Sequence, residues 1–261
     1  MIKMLRGWQA RRFLTLLWAL TLRDVRARYR RSLLGPAWAI LQPLMLMVVF
    51  TALSGVLEVD SQDVPYIIFS YSVLVPWTFF SGSVSRAGAS ILSNASIIKK
   101  INVSRELFPL VTILTGFFDA LMAGVILAGM MVWYQVPINL SFFWLLPLTL
   151  LTGLFALGVC MFFAAIGIYS RDILQVNAFL MQLWLYATPI IYPISEVPEK
   201  WRTLYQLNPM VGLLEGFRNI LALGQPPDLG LLAWSLPGIV LALVVSWPLF
   251  RYTSRYFADV L

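Results

Sequence analysis

Gln175, Phe179, Gln182, Tyr186 and Pro189 recur at steps of four, three, four and three within an apolar run from Ile173 to Ile194. On a helix this spacing gathers two amides and two aromatic rings into one stripe. A glutamine in hydrocarbon is costly without a partner or water, so the stripe is expected to point away from lipid. Two chemistries fit it. Aromatic faces and amides suit a sugar chain, whose rings stack and whose hydroxyls hydrogen-bond; alternatively, the amides glue a helix-packing seam. Asp119 is the only acidic residue deep in an apolar run. It is either a proton or ion relay or the charge partner of a hydroxyl or arginine on a neighbouring helix. The lack of a second such acid favours the partner. At Arg171-Asp172 one helix ends and another begins, and these charges complement the two helix dipoles.

The elements that must position these groups follow from composition. Of 261 residues, 60% are hydrophobic and only 12% charged, and the mean hydropathy is positive. This is too little polar surface for a water-soluble globule, so an integral membrane protein is expected. Apolar runs of twenty residues or more are too long for barrel strands and predict helices. Histidine is absent and the single Cys160 lies in an apolar run, which leaves no disulfide framework and no metal site. No glycine precedes a lysine, so a phosphate-binding P-loop is missing and any nucleotide must be handled by another polypeptide. The basic start before Phe13–Leu22 mimics a secretory signal, but five arginines follow and no cleavage site appears.

Residues 8–31 carry Leu14, Leu17, Trp18, Leu22, Val25 and Tyr29 on one stripe and Arg23, Arg26 and Arg30 on another. This predicts an interfacial amphipathic helix, serving as a topology anchor, as a platform for a cytoplasmic partner, or as both. Six spans follow, at about 33–57 (bent at Pro43), 65–90, 107–134, 142–169, 173–194 and 231–252. The small-residue run SGSVSRAGAS in the second is expected to face another helix. Acidic Glu58, Asp60 and Asp63 lie in the first loop, and 91–106 is a basic loop. Between the last two spans, 195–230 reads as an outer re-entrant helical hairpin. A short helix over 198–207 carries Trp201 and Tyr205. A second, over 209–223, is capped by Asn208-Pro209, with Met210, Leu213, Leu214, Phe217 and Leu221 on one face and Glu215 and Arg218 on another. The pair of helices is either an interfacial anchor or a gate.

In this six-span arrangement sixteen of the 19 Lys and Arg residues fall on one side, against Lys200, Arg202 and Arg218 on the other. By the positive-inside rule both termini are cytoplasmic and the 195–230 hairpin faces outward.

Several motifs together carry a resemblance over nearly the whole chain. They are RDVRARYRRSLLGPAWAILQPL from Arg23, the loop ending in Arg105-Glu106-Leu107-Phe108-Pro109, Arg171-Asp172, ATPIIYP from Ala187, and LNP from Leu207. The sequence resembles the membrane subunits of type-two ABC exporters, specifically the permeases for polysaccharides such as O-antigen, capsule or teichoic acid. The resemblance implies a single transmembrane domain over 1–261 in a bacterial inner membrane. It further implies a homodimer with two cytoplasmic P-loop ATPase subunits, so that ATP and magnesium are bound only by the partner. By the same resemblance 8–31, with Arg23, Arg26 and Arg30, is an interface helix. The coupling helix lies in 91–106, with Asn94, Ser96, Lys99, Lys100 and Arg105. The outer gate uses Trp201, Tyr205, Asn208, Glu215 and Arg218. A lipid-linked glycan would pass Trp38, Gln175, Phe179, Gln182, Tyr186 and Tyr192. No nucleic-acid partner is implied.

Two other functions fit parts of this sequence. A permease of the same superfamily could export a drug or a lipid. A polyprenyl-phosphate glycosyltransferase could use Asp60 and Asp63, but it should have a far longer catalytic loop and a metal or a supported general base.

Overall fold

The computed structural model describes residues 2–30, 32–62, 64–101, 103–170 and 172–257. Arg31, Asp63 and Arg171, which figure in the charge count, the acidic loop and the charged turn, lie outside them. The described residues form helices joined by turns, in the order α1 (Ile2–Tyr29), α2 (Ala37–Leu57), α3 (Tyr66–Ser93), α4 (Ala95–Lys100), α5 (Leu107–Trp133), α6 (Leu145–Gly167), α7 (Asp172–Tyr186), α8 (Glu199–Gln206), α9 (Pro209–Leu221) and α10 (Leu229–Thr253). Five of these, α2, α3, α5, α6 and α10, are long and apolar enough to cross a membrane.

The fifth expected span is the exception. The run 173–194 yields only the 15-residue α7, about 22 Å long at 1.5 Å per residue and short of a hydrocarbon core of about 30 Å. The chain then turns through Ala187–Pro193 and enters a 3₁₀ turn at Ile194–Glu196. The pyrrolidine rings of Pro189 and Pro193 remove two amide donors and disfavour helix in the residues before them, and hydrogen-bond partners outside the helix take over the freed carbonyls, as described below.

α3 is the central post, buried along most of its length and packed on α5, α6, α2, α7 and α9. Its small-residue run does face other helices. Gly88 lies so close to Gly167 of α6 that a Cβ on Gly167 would strike the Gly88 carbonyl, and one on Gly116 of α5 would strike Ser83. α6 and α10 approach as closely at Gly158, where an added Cβ would lie 2.9 Å from the Ala242 carbonyl carbon. Such contacts hold helices together in lipid by packing.

Around this post lies one apolar core, and a second cluster joins Phe13, Leu16, Leu17 and Leu20 of α1 to Phe108, Phe250 and Phe257. The inward face of α1 is therefore offset from the expected stripe: Leu14 and Trp18 point outward, whereas Arg23, Arg26 and Arg30 are exposed as expected. At the polar end of α1, Arg28 and Tyr29 reach Asp119 of α5.

α9 differs from the two-faced reading, because Glu215 and Arg218 are buried along with its apolar face. α8 has no buried residue and is the surface member of the pair.

Candidate transport pathway and its two polar clusters

α7 is fixed to the post from one side. Asn177 donates to the Val84 carbonyl at 2.8 Å. Trp184 closes an aromatic cluster with Phe80 and Phe155, whose rings stack at 5.2 Å. The opposite side carries Gln175, Phe179, Gln182 and Tyr186, all exposed. Trp38, 53% exposed, stands on α2, which packs on α3 and α5 whereas α7 packs on α3 and α6. Tyr192 lies beyond the end of α7, its hydroxyl 3.2 Å from that of Tyr205. A single chain thus gathers the four α7 residues on one open face and places Trp38 and Tyr192 on other elements.

Where α7 ends, Asn208 ties three elements together. Its side-chain oxygen caps α9 by accepting from the Met210 amide at 3.1 Å, as the Asn-Pro pair predicts, and also accepts from Trp184 Nε1 at 3.0 Å. Its amide nitrogen donates to Thr188 Oγ1 at 2.9 Å. Arg218 holds the next residues, donating to the carbonyls of Pro189 and Ile190 at 3.0 and 3.1 Å while paired with Glu215. Tyr66 donates to the Ile191 carbonyl at 2.8 Å. Carbonyls that a helix would have satisfied internally are met by side chains, which is what allows the chain to leave the helix within an apolar region. Tyr192, Trp201 and Tyr205 line a neighbouring cavity of ≈ 400 Å³ together with Glu196 and Pro198. The Glu196 carboxylate accepts from the Asp60 amide at 2.7 Å, joining the first loop to this end.

The second cluster lies at the opposite end of α3. Asp119 of α5 accepts from Arg28 and from the Tyr29 hydroxyl, and Arg86 of α3 stands 3.9 Å away. The expected structural partner of Asp119 is therefore present as both an arginine and a hydroxyl. Burial and the Asp119 carboxylate push the Tyr29 phenol up to about 12. Arg23 pairs with Asp24 at 2.7 Å and donates to Asn94 at 2.6 Å. α1 is so joined to the turn that leads into α4, where Ser96, Lys99 and Lys100 are exposed. Arg105 is half-buried on the following turn.

Arg28, Tyr29 and Arg86 were not among the expected site residues. The signal for Arg86 was its place as the one charge inside a run of small residues, opposite the one acid in an apolar run.

Relatives resemble this chain over three-quarters or more of its length. The chain is 28% identical over 249 residues to an O-antigen export system permease protein RfbA of Klebsiella pneumoniae, covering 94% of this chain and 95% of the relative. It is 30% identical over 256 residues to the RfbA protein of Myxococcus xanthus, covering 94% of each. The polysialic acid transport protein KpsM of Escherichia coli is 26% identical over 203 residues, covering 76% of this chain and 77% of the relative. The model of the family described as ABC-2 type transporter matches residues 15–222, from within α1 through the interlocked α7, α8 and α9. The chain belongs to the ABC-2 type transporter family.

Proposed function

We propose that this protein is the membrane-spanning permease subunit of an ATP-driven exporter that moves a lipid-linked polysaccharide of the O-antigen or capsule type across a bacterial inner membrane. The observation that carries the reading is the open face of α7. Two amides and two aromatic rings face away from the subunit's own core on a helix set among apolar spans. Such a face in lipid costs free energy unless a second subunit or an aqueous, sugar-filled path covers it. The names of the relatives, O-antigen and polysialic acid transport proteins, support a polysaccharide cargo.

In this reading two copies meet across the sparsely covered α2 and α7, and the glycan passes Trp38, Gln175, Phe179, Gln182, Tyr186 and Tyr192. α7 with its non-helical continuation counts as a sixth crossing, which puts both termini and α4 in the cytoplasm and α8 and α9 at the outer side. The surplus of Lys and Arg on the α1 and α4 side supports this orientation. α4, with Lys99 and Lys100, docks on a separate ATPase subunit; α1 braces that contact through Arg23 and Asn94. ATP is hydrolysed by the partner, and this subunit converts the partner's closure into movement of its spans.

The test is gentle solubilisation from host membranes with identification of stoichiometric partners. A P-loop ATPase at one copy per permease is the expected result. A permease recovered alone from membranes without ATP-dependent export would overturn the reading. Drug or lipid cargo is separated by assaying surface glycan after depletion of the protein.

A further inference from the structure

A cavity of ≈ 390 Å³ lies between α1, α3 and α5 at the α4 end of the bundle, walled among others by Arg28, Arg86, Asn94, Ser85, Thr112 and Asp24. Its charges do not balance. The Asp24 carboxylate is taken by Arg23 at 2.7 Å. Asp119, which is not in the cavity wall, is taken by Arg28 and Tyr29. Among the described residues Arg86 has a single ion pair, to Asp119 at 3.9 Å, and its Nε and Nη2 are buried with no hydrogen-bond partner.

Two guanidinium groups, on side chains 28% and 32% exposed, thus share one carboxylate. Shielding part of a poorly compensated cation is costly, and such a group is retained where a ligand or a pathway uses it. Glycines on two helices flank the Arg86 guanidinium. A Cβ on Gly82 would lie 3.0 Å from Nη1, and one on Gly116, which would first strike Ser83, would lie 2.9 Å from Nη2. Were Arg86 only a counter-charge for Asp119, Arg28 and Tyr29 would already suffice.

We propose that this cavity binds a phosphate-type oxyanion, with Arg28 and Arg86 as its charge partners. Two cations carried by different helices converge on a tetrahedral, multiply charged anion better than on a planar monoanion, and the planar guanidinium fork favours phosphate over a simple point-charge contact. The oxyanion is either the headgroup of a membrane lipid or free phosphate. This goes beyond the export reading and does not require it: an ATPase can copurify whether or not the cavity binds an anion, so the two fail separately.

The experiment is thermal unfolding of the full chain in detergent, with whatever subunits accompany it, followed by the fluorescence of its 10 tryptophans. The probes are dioctanoyl phosphatidate, sodium phosphate and sodium acetate at matched ionic strength. Phosphate-bearing probes should raise Tm and acetate should not. Arg86→Gln and Arg28→Gln should each weaken apparent affinity about tenfold, the order expected for one charged hydrogen-bonding partner, while Arg251→Gln, at the exposed end of α10, leaves it unchanged. Arg86→Lys should be intermediate, and with Arg28→Gln it decides the case if Arg86→Gln does not fold. A rise with phosphatidate alone identifies a lipid headgroup, and an equal rise with inorganic phosphate identifies the free anion. No rise with either, an equal rise with acetate, or an undiminished rise in the arginine variants overturns the proposal.

Discussion

The guanidinium of Arg218 lies 4.2 Å from the centroid of the Phe69 ring, so a cation on α9 rests on the face of an aromatic on the central helix α3. The same group pairs with Glu215 and donates to the carbonyls of Pro189 and Ile190. It is wholly buried and joins three segments. Arg218→Ala leaves the Glu215 carboxylate buried without its cation and two carbonyls without donors. The expected loss is about 3–5 kcal/mol, measured as a fall in unfolding temperature with faster amide exchange over 187–193. Arg218→Met combined with Glu215→Leu should recover most of the stability and little of the exchange protection, because the carbonyls remain unpaired. An Arg218→Ala variant as stable as the parent would show that these Arg218 contacts carry no weight.

Tyr29 gives the Asp119 cluster a measurable response to alkali. Its folded-state value of about 12 lies above the ordinary value of 10.0. The neutral phenol is favoured in the fold, so its contribution is complete below about pH 10 and is lost as pH rises through the folded value. Between these limits α1 should loosen from α5. Proteolysis near residue 30 against pH should show a rise that Tyr29→Phe flattens. An unchanged profile in that variant would detach the alkaline response from Tyr29.

Close helix crossings predict opposite signs for the same substitution. Gly167→Ala drives a methyl into the backbone of Gly88, which cannot yield as a side chain would, and should cost about 1–3 kcal/mol or more. Gly124→Ala on α5 meets nothing within 4 Å among the described residues and should be neutral or gain up to about 1 kcal/mol from helix propensity. Unfolding temperatures of the two variants in one detergent settle the comparison; a neutral Gly167→Ala would contradict the close approach of α3 and α6.

The long helices were legible because a hydropathic run of span length has few other uses, and α2, α3, α5, α6 and α10 appear near the expected bounds. The Asn208 cap was legible because Asn-Pro is a local signal. The end of α7 was not. Its helix stops at Tyr186 although the sequence stays apolar to Ile194, since the groups that donate to the freed carbonyls, Arg218 and Tyr66, lie 28 residues or more away in sequence. The burial of Glu215 and Arg218 was hidden for the same reason. Spacing of three reads as a polar face on an isolated helix, and only the packing of α3, α6 and α10 around α9 makes that face internal. The existence of a partner for Asp119 could be inferred from its cost in lipid, but its identity depended on the position of α1.

Lys99 and Lys100 stand exposed at the end of α4, the short helix that follows the α3 terminus. If α4 docks on the ATPase, two reversed charges there replace attraction by repulsion. Lys99→Glu with Lys100→Glu should lower recovery of the ATPase severalfold while leaving the unfolding temperature of the permease unchanged, since neither side chain is packed. The wild-type complex should weaken with added salt and the variant should not. Equal recovery from both would remove α4 from the docking surface.

Tyr186 and Tyr192 separate a stacking role from a hydrogen-bonding one. Tyr186 is exposed on the α7 face, whereas the Tyr192 hydroxyl is engaged with Tyr205. Removing both rings discards two stacking surfaces worth about 0.5–1.5 kcal/mol each, so Tyr186→Ala with Tyr192→Ala should reduce surface glycan roughly tenfold with the ATPase still bound. Phenylalanine at both positions keeps the rings and loses only the hydroxyls. Export in that variant near the wild-type level would assign the work to the aromatic faces. Loss as deep as in the alanine pair would assign it to the hydroxyls and their link to α8. Undiminished glycan in the alanine pair would remove both tyrosines from the path and leave the amides of Gln175 and Gln182 as its remaining polar lining on α7.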